Sequence, residues 1–482
     1  MANEYEQQRR KKADALRAGG LDPFGHRYPE TIGAAEARRR FEAAGPGAPG
    51  PARVAGRLMG QRAFGKLVFA DLVDWTGRIQ IAFNKKALDA EAWERVGQLD
   101  LGDWVGVEGT LVKTRTGEVT IAVERFEILA KALLPPPEKW HGLQAIEARY
   151  RQRYVDLFAN PEVRNLFLKR SLILDETRRF LKERGFVEVE TPVLQPIYGG
   201  AAARPFITHH NTLGVDLYLR ISPELYLKRL LVGGMERVFE MGRVFRNEGI
   251  STRHNPEFTM LEVYQAYADY TDMMVLTESL FEHLARTVSG GETALPFGDE
   301  VIEYKAPWRR AKYADLLEEH AGVRLGDEEA IRAKARDLGI EETDKHLDVV
   351  THDVFERCVE AHLVQPMFVM DWPAGLCPLT KRKADEPEIA ERFEPIVAGM
   401  ELGNAYTELN DPDVQAEALR TQLAGQDETM AVMDEDFVTA LEYGMPPAGG
   451  LGVGMDRLVM LLTGASSIRE VVLFPQLRPR AT

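Results

Sequence analysis

The stretch Phe245-Arg246-Asn247-Glu248-Gly249, followed three residues later by Arg253-His254-Asn255-Pro256-Glu257-Phe258, decides how the larger part of this chain is read. β-like texture runs up to Arg246 and resumes at Glu257, so the residues between form a long hairpin loop. That loop gathers Arg, His, Asn and Glu where they can meet a polyanion. On the returning strand, the period of two sets Phe258, Met260, Glu262 and Tyr264 on one face. An aromatic ring, a thioether, a carboxylate and a phenol in one row are poor core chemistry. They suit a site with a flat ring at one end and a cation at the other. The competing reading is a surface hairpin with one wet face.

Working outward, further β-like segments lie at 186–193, 217–221, 237–246, 257–268, 367–371 and 391–409. Hairpins dominate and no βαβ alternation occurs, so the fold class is α+β, a mostly antiparallel sheet flanked by helices. A long helix opens this region. Asn160 can cap it, Pro161 suits its first position, Phe167, Leu174 and Leu181 recur at seven-residue spacing, and Gly185 ends it. Residues 271–345 read as a mainly helical, acidic insertion or surface layer, and helices are expected at 413–426 and 455–463.

Upstream the texture differs. Residues 1–44 read as helical, and Gly45-Pro46-Gly47-Ala48-Pro49-Gly50-Pro51 then breaks any helix. From Arg53 the order is three strands, a helix at 86–99 and two strands. The first strand is short and mixed, over 53–58. The next two, at 68–74 and 78–83, flank a turn at Trp75-Thr76-Gly77. The last two, at 104–113 and 118–129, are separated by a turn ending at Gly117. This order predicts a five-stranded OB-fold β-barrel, whose exposed strand face often holds single-stranded nucleic acid. A barrel with no ligand is the alternative. Leu134-Pro135-Pro136-Pro137 stiffens the exit. The organisation is therefore an N-terminal helical extension and linker at 1–52, a barrel at 53–130, a linker at 131–149, and a larger domain at 150–482.

Composition limits the function classes. The 482 residues carry a net charge of −15, which argues against broad wrapping of nucleic acid but not against a local RNA site. Residues 1–130 hold 20 Lys and Arg against 18 Asp and Glu, whereas the remainder holds 40 against 57. Partners that need positive potential thus meet the N-terminal part first. Two cysteines, Cys358 and Cys377, lack metal-type spacing and suit a reducing compartment. No secretory signal or membrane span is read, so the expected location is cytoplasmic.

Three further segments carry chemistry. Glu401-Leu402-Gly403-Asn404-Ala405-Tyr406-Thr407-Glu408 places Asn404 and Glu408 on one face of a strand. With Glu394 it offers three carboxylates, of which two suit magnesium held alongside a triphosphate. Glu394 and Glu401 are seven apart, so they share a face only if a turn or bulge falls near Ala398-Gly399. Gly449-Gly450-Leu451-Gly452-Val453-Gly454-Met455-Asp456-Arg457 reads as a Gly-rich turn that permits close backbone approach to a ligand and sets Arg457 near a helix start. A dinucleotide fingerprint is the rival reading, and the pattern is weak for it because no βαβαβ half follows. Gly185-Phe186-Val187-Glu188-Val189-Glu190-Thr191-Pro192 joins the long helix to a strand. Pro192 belongs at an edge, which suggests a subunit contact.

In this order the segments resemble motifs 1, 2 and 3 of the class II aminoacyl-tRNA synthetases, from about Arg53 to Pro479. A barrel ahead of such a core resembles the lysine, aspartate and asparagine subgroup. Four stretches are similar to the lysyl branch: Gly199-Gly200-Ala201-Ala202-Ala203-Arg204-Pro205-Phe206, Thr208-His209-His210-Asn211, Pro223-Glu224-Leu225-Tyr226-Leu227-Lys228-Arg229, and Thr407-Glu408-Leu409-Asn410-Asp411-Pro412. Ala405-Tyr406 departs from that branch, where many members have a different small residue followed by Phe.

The resemblance implies activation of L-lysine by ATP and its transfer to tRNA(Lys), in a homodimer using magnesium. Arg246 would bridge the amino-acid carboxylate and the α-phosphate, with Arg457 as its catalytic companion. Gly200 and Glu224 would hold the α-ammonium, and Glu262, Tyr264, Asn404 and Glu408 would line the side-chain pocket. Phe258 and Arg457 would sandwich the adenine, Glu248 and Asn255 would read its edge, and Arg253 and His254 would hold the outer phosphates. Glu394 and Glu401 would bind Mg2+. On the barrel, Phe69 and Gln80 match anticodon-reading positions, with Arg57 and Glu118 beside them. Competing readings are an aspartyl- or asparaginyl-type synthetase, a paralogue that lysylates a protein, and a non-catalytic RNA-binding regulator.

Overall fold

In the strand Leu67–Val73, Val68, Ala70 and Leu72 point inward while Phe69 and Val73 stay partly exposed. Repeated through its neighbours, this alternation closes a barrel in the order Pro51–Phe64, Leu67–Val73, Arg78–Asn84, Val119–Ala130 and Trp104–Lys113. The computed structural model describes residues 4–44, 50–137, 143, 145–424 and 433–479. The first strand is much longer than the 53–58 expected. A register shift between Leu58 and Gly60 bends it, so residues 51–57 pair with one neighbour and 57–64 with the other. The helix Ala90–Val96 is capped by Asp89 and is shorter than 86–99.

Helices Glu4–Ala18 and Ala34–Ala44 precede the barrel. Arg9 donates to the carbonyls of Leu101 (2.9 Å), Ala132 (2.7 Å) and Leu134 (3.2 Å), so the first helix is fastened to the strand ends. Most of the expected linker, residues 45–49, lies outside the described residues. Pro51 already begins a strand.

The chain divides into two compact units, Met1–Gln144 and Ala145–Thr482. The second is built on a nine-stranded sheet. Its main path runs Arg309–Lys312, Met367–Pro373, Ile389–Val397, Gly403–Thr407, Ala448–Gly454, Glu257–Ala266, Arg237–Phe245, Val187–Glu188. Pairing is antiparallel except at the two ends of this path. The helices Pro161–Lys182, Tyr270–Ser289 and Met455–Thr463 share one apolar core with the sheet, through Phe180, Phe281, Leu458, Phe239, Leu261 and Phe393. The α+β architecture is as expected.

Three local readings are corrected. Residues 271–345 are not simply a helical surface layer. The helix Tyr270–Ser289 is a core element, because Met273, Met274, Leu280, Phe281 and Leu284 form a buried stripe. After it come a hairpin, Ala294–Phe297 with Glu300–Glu303, and the sheet strand Arg309–Lys312. The Gly-rich segment before Arg457 is a buried strand near the middle of the sheet, not a turn. Finally, 186–193 yields only Val187–Glu188 as a sheet strand, since Pro192 cannot continue the ladder. The expected helix 413–426 is Pro412–Ala424, and residues 425 and 426 lie outside the described residues.

Candidate active site

The Ala448–Gly454 strand determines what can face across the sheet. Glu262 pairs with Gly452 and Tyr264 with Gly450 on one side, while Asn404 and Tyr406 pair with the same two glycines on the other. A Cβ at Gly450 would lie 1.9 Å from Glu408 Oε1 and 2.7 Å from Tyr264 Cε1, and one at Gly452 would lie 3.4 Å from Glu262 Oε2. The missing side chains are thus the space into which Glu262, Tyr264 and Glu408 lean from the flanking strands.

Glu262 is buried and accepts hydrogen bonds from Tyr264 Oη (3.0 Å) and Ser222 Oγ (3.1 Å). Burial, with Glu224 nearby, pushes its carboxyl up to about 8 despite those bonds and Arg246. Glu408 is likewise raised to about 8, by burial first and then by Glu224 and Glu262, with Lys228 opposing. Glu224 opens the helix Glu224–Val232, and its Oε1 accepts from Tyr406 Oη at 2.6 Å. Lys228 Nζ lies 2.7 Å from Glu224 Oε1 and 2.5 Å from Glu408 Oε2. Gly200 adopts φ +82°, and a Cβ there would stand 3.0 Å from Glu224 Cβ. Buried carboxylates therefore converge from a helix, a strand and the residue just past the strand Gly403–Thr407.

At the other end, Arg246 Nε donates to the Ile221 carbonyl at 3.4 Å, and its guanidinium lies 5.2 Å from the centre of the Phe258 ring. It is thus Arg246 that stands over Phe258. Arg457 turns to the Glu401 carbonyl (2.6 Å) and carboxylate (3.2 Å), and to His254 Nε2 (3.0 Å). Burial and the Arg457 charge hold His254 below the usual histidine range, so its ring accepts that bond as a neutral group. Asn255 is buried, donates to the Glu257 carbonyl at 2.7 Å and leaves Oδ1 without a hydrogen bond. Glu248 and Arg253 are exposed, and Arg253 donates to the Gly399 carbonyl at 3.0 Å.

The turn needed for Glu394 and Glu401 to share a face is present. Ala398 (φ +52°) and Gly399 (φ +62°) both take the left-handed conformation of a tight two-residue hairpin. Ile396 then pairs with Glu401, and Glu394, two residues before Ile396, falls on the same side. Glu394 is buried and bonded to Arg392 Nη2 at 2.5 Å. Burial pushes it up to about 8, with Glu401 adding to the rise.

The four barrel residues lie in the other unit. Phe69 is opposite Ala82, and its ring meets Phe64 edge-on at 6.2 Å. Gln80 Oε1 accepts from Thr120 at 2.9 Å. Arg57 stacks 4.8 Å from the Trp104 ring, and Glu118 pairs with Arg78 at 3.0 Å.

Several side chains escaped the sequence reading. Lys228 follows Glu224 by one helical turn, and that i,i+4 spacing is the signal that marks it. The Tyr406 hydroxyl turns a modest aromatic exchange into a polar contact with Glu224. Asp456 carried no signal at all. It accepts from the Thr259 amide (2.6 Å) and Arg170 (2.6 Å), fixing the helix start that carries Arg457.

Known proteins match along almost the whole chain. A family model described as tRNA synthetases class II (D, K and N) matches residues 145–478, and one described as OB-fold nucleic acid binding domain matches residues 52–129. The lysine–tRNA ligase of Pelotomaculum thermopropionicum is 51% identical, over 99% of this chain and 96% of that protein. Those of Carboxydothermus hydrogenoformans and Roseiflexus castenholzii are each 50% identical, over 99% of both chains in either comparison.

Proposed function

The chain belongs to the class II tRNA synthetases, among the lysine–tRNA ligases, and from that membership we propose how its residues divide the work. The reaction has two steps. A carboxylate oxygen of L-lysine attacks the α-phosphorus of ATP, and the bond to pyrophosphate breaks to leave lysyl-adenylate. The 3′-hydroxyl of the terminal adenosine of tRNA(Lys) then attacks the carbonyl carbon, and AMP departs.

The observation that carries the assignment of roles is the convergence of the buried Glu224, Glu262 and Glu408 in one space. Such a site favours a ligand with two ammonium groups. A neutral or acidic amino acid would leave buried carboxylates unpaired, at about 2–3 kcal/mol each. Glu224 with the Gly200 backbone receives the α-ammonium. Glu408 and Tyr264 receive the ε-ammonium, and Glu262 and Asn404 complete the wall. An aspartyl- or asparaginyl-type pocket would need cationic or amide donors at these positions.

No general base is needed, because the attacking carboxylate is already ionised. Arg246 spans that carboxylate and the α-phosphate, and its planar fork suits two anions at once. Positioning and charge stabilisation then account for the rate. Phe258 and Arg457 hold the adenine, Glu248 and Asn255 read its edge, and Arg253 and His254 take the outer phosphates. Arg457 must then exchange part of its bonding with Glu401 and His254 for the nucleotide.

Glu394 and Glu401 fit Mg2+ held jointly with the triphosphate: two oxygen donors on one face, one of them buried beside a like charge. Among the described residues no cluster of three or more His, Cys, Asp or Glu side chains could hold a metal alone, which favours an ion that arrives with ATP. When bound, it neutralises charge on the phosphates.

On the barrel, Arg57, Phe69, Gln80 and Glu118 receive anticodon bases. A homodimer is favoured by the exposed apolar side chains of Val187, Val193, Leu194, Ile207, Leu213 and Val215. The proposed location is the cytoplasm. Among the described residues no helix is long and apolar enough to cross a membrane.

The test is ATP–pyrophosphate exchange against a panel of amino acids, followed by charging of tRNA(Lys). Exchange that depends on lysine supports the pocket. No lysine dependence refutes it, and exchange without tRNA charging would favour the paralogue that lysylates a protein.

A further inference from the structure

One charged side chain in the pocket has no part in the roles above. Lys228 is fully buried, and its ammonium lies between Glu224 Oε1 (2.7 Å) and Glu408 Oε2 (2.5 Å). The rings of Tyr406 and Phe437 stand 5.4 and 6.0 Å from it. Glu224 and Lys228 share one helix, one turn apart, whereas Glu408 follows the strand Gly403–Thr407. The ammonium is thus a cross-tie between two elements.

Charge bookkeeping explains why a cation is wanted there. Glu224, Glu262 and Glu408 would place three negative charges in one dry space, where like charges cannot all ionise. Arg246 opposes Glu224 at Glu262, whereas at Glu408 it is Lys228 that opposes Glu224 and Glu262. One resident ammonium beside Glu408 favours its charged form, although burial still holds that carboxyl up at about 8. It does not saturate Glu408: neither of its carboxylate oxygens accepts a hydrogen bond, and the approach of Lys228 Nζ is an ion-pair contact without hydrogen-bond geometry. The Tyr406 hydroxyl grips Glu224 as well, at 2.6 Å.

We infer that Lys228 is a positioning residue for substrate recognition: its ammonium ties Glu224 to Glu408 and so sets the spacing of the two carboxylates that receive the two ammonium groups of lysine. This rests on the pocket assignment above. Two consequences follow. Lysine should be distinguished from ornithine, which is one methylene shorter, partly through that fixed spacing. The ionisation of Glu408 should depend on Lys228, against the opposing influence of Glu224, Glu262, Tyr264 and Tyr406, which face it.

The test is Lys228→Met, which keeps the length of the side chain and removes its charge, with Lys228→Gln as a polar second variant. In lysine-dependent exchange, the KM for lysine should rise about tenfold, since loss of a neighbouring opposite charge shifts a carboxylate by about one pH unit or more. The acidic limb of kcat/KM for lysine should move up by about the same unit, and preference over ornithine should fall, while the KM for ATP changes less than about twofold. An unmoved limb and lysine KM would overturn the inference. So would parallel rises in both KM values, or failure of both variants to fold, since each marks a role in structure rather than recognition. Glu408→Gln run alongside separates the two levels. If it leaves lysine use intact, the pocket assignment falls. If it abolishes lysine use while both Lys228 variants behave as the parent, only the present inference falls.

Discussion

Gly450→Ala probes the pocket through a single methyl group. The backbone at this position is not in the left-handed region, so it accepts alanine, and the effect comes from what the new Cβ meets. It would stand 1.9 Å from Glu408 Oε1 and 2.7 Å from Tyr264 Cε1. Carbon and oxygen need about 3.4 Å, so the carboxylate must retreat by about 1.5 Å. That is enough to break one charged hydrogen bond to a bound ammonium, worth about 2 kcal/mol, or about thirtyfold in kcat/KM for lysine. Overpacking should also lower stability by about 1–3 kcal/mol. Gly449→Ala is the control: its Cβ would clash with the Asp269 carbonyl at 2.7 Å and with Met273 instead, away from the pocket. Exchange kinetics with lysine and ATP titrated in turn, together with thermal melts, would compare the two variants. Both should melt earlier, but only Gly450→Ala should raise the KM for lysine. An unchanged lysine KM in Gly450→Ala, or an equal lysine defect in Gly449→Ala, would refute the reasoning.

Glu408→Gln should weaken lysine use about a hundredfold and ATP use little, as expected for loss of one buried ionic partner; unchanged lysine KM and turnover would sink the pocket assignment. Because Glu262 and Glu408 are held up near 8 and must be ionised to receive ammonium groups, kcat/KM for lysine should climb from about pH 6, reach half its limit near 8 and level off by about 9. A flat profile over that range contradicts it. The sign for folding is opposite. These carboxyls bind protons more tightly folded than unfolded, so their contribution to stability is fully present below about pH 4.5 and is lost as pH rises through about 8. Calorimetry of Glu408→Gln against the parent should show a smaller loss over that window. Phe69→Ala should reduce charging of tRNA(Lys) about tenfold through loss of one base stack, yet leave tRNA-free exchange unaltered; equal activity in both assays would remove Phe69 from the RNA face.

The sequence made the α+β core legible because hairpin strands and their turns are local signals. The barrel order was readable for the same reason, with its helix set between strands three and four. What stayed hidden was non-local. The charges along Tyr270–Ser289 suit a surface helix, although its buried stripe runs through Met273, Leu280 and Leu284. Gly449 to Gly454, with four glycines around Leu451 and Val453, has only a weak propensity for a strand, and the neighbours' side chains explain one there. The candidate site divides in the same way. Glu262 and Tyr264 could be placed together by counting in twos along one strand. The approach of Glu408 to Lys228 could not, since those residues are 180 positions apart and meet only through tertiary packing.

Alternation on the barrel strands has a consequence for how such a protein changes over generations. Val68, Ala70 and Leu72 are committed to holding the barrel shut, whereas Phe69 and Val73, their immediate neighbours in the chain, are not. Closure of the barrel and, on the proposed reading of Phe69, recognition thus fall to neighbouring letters of one short word. Selection can redraft the outward letters to suit a different ligand while the inward ones continue to hold the vessel together.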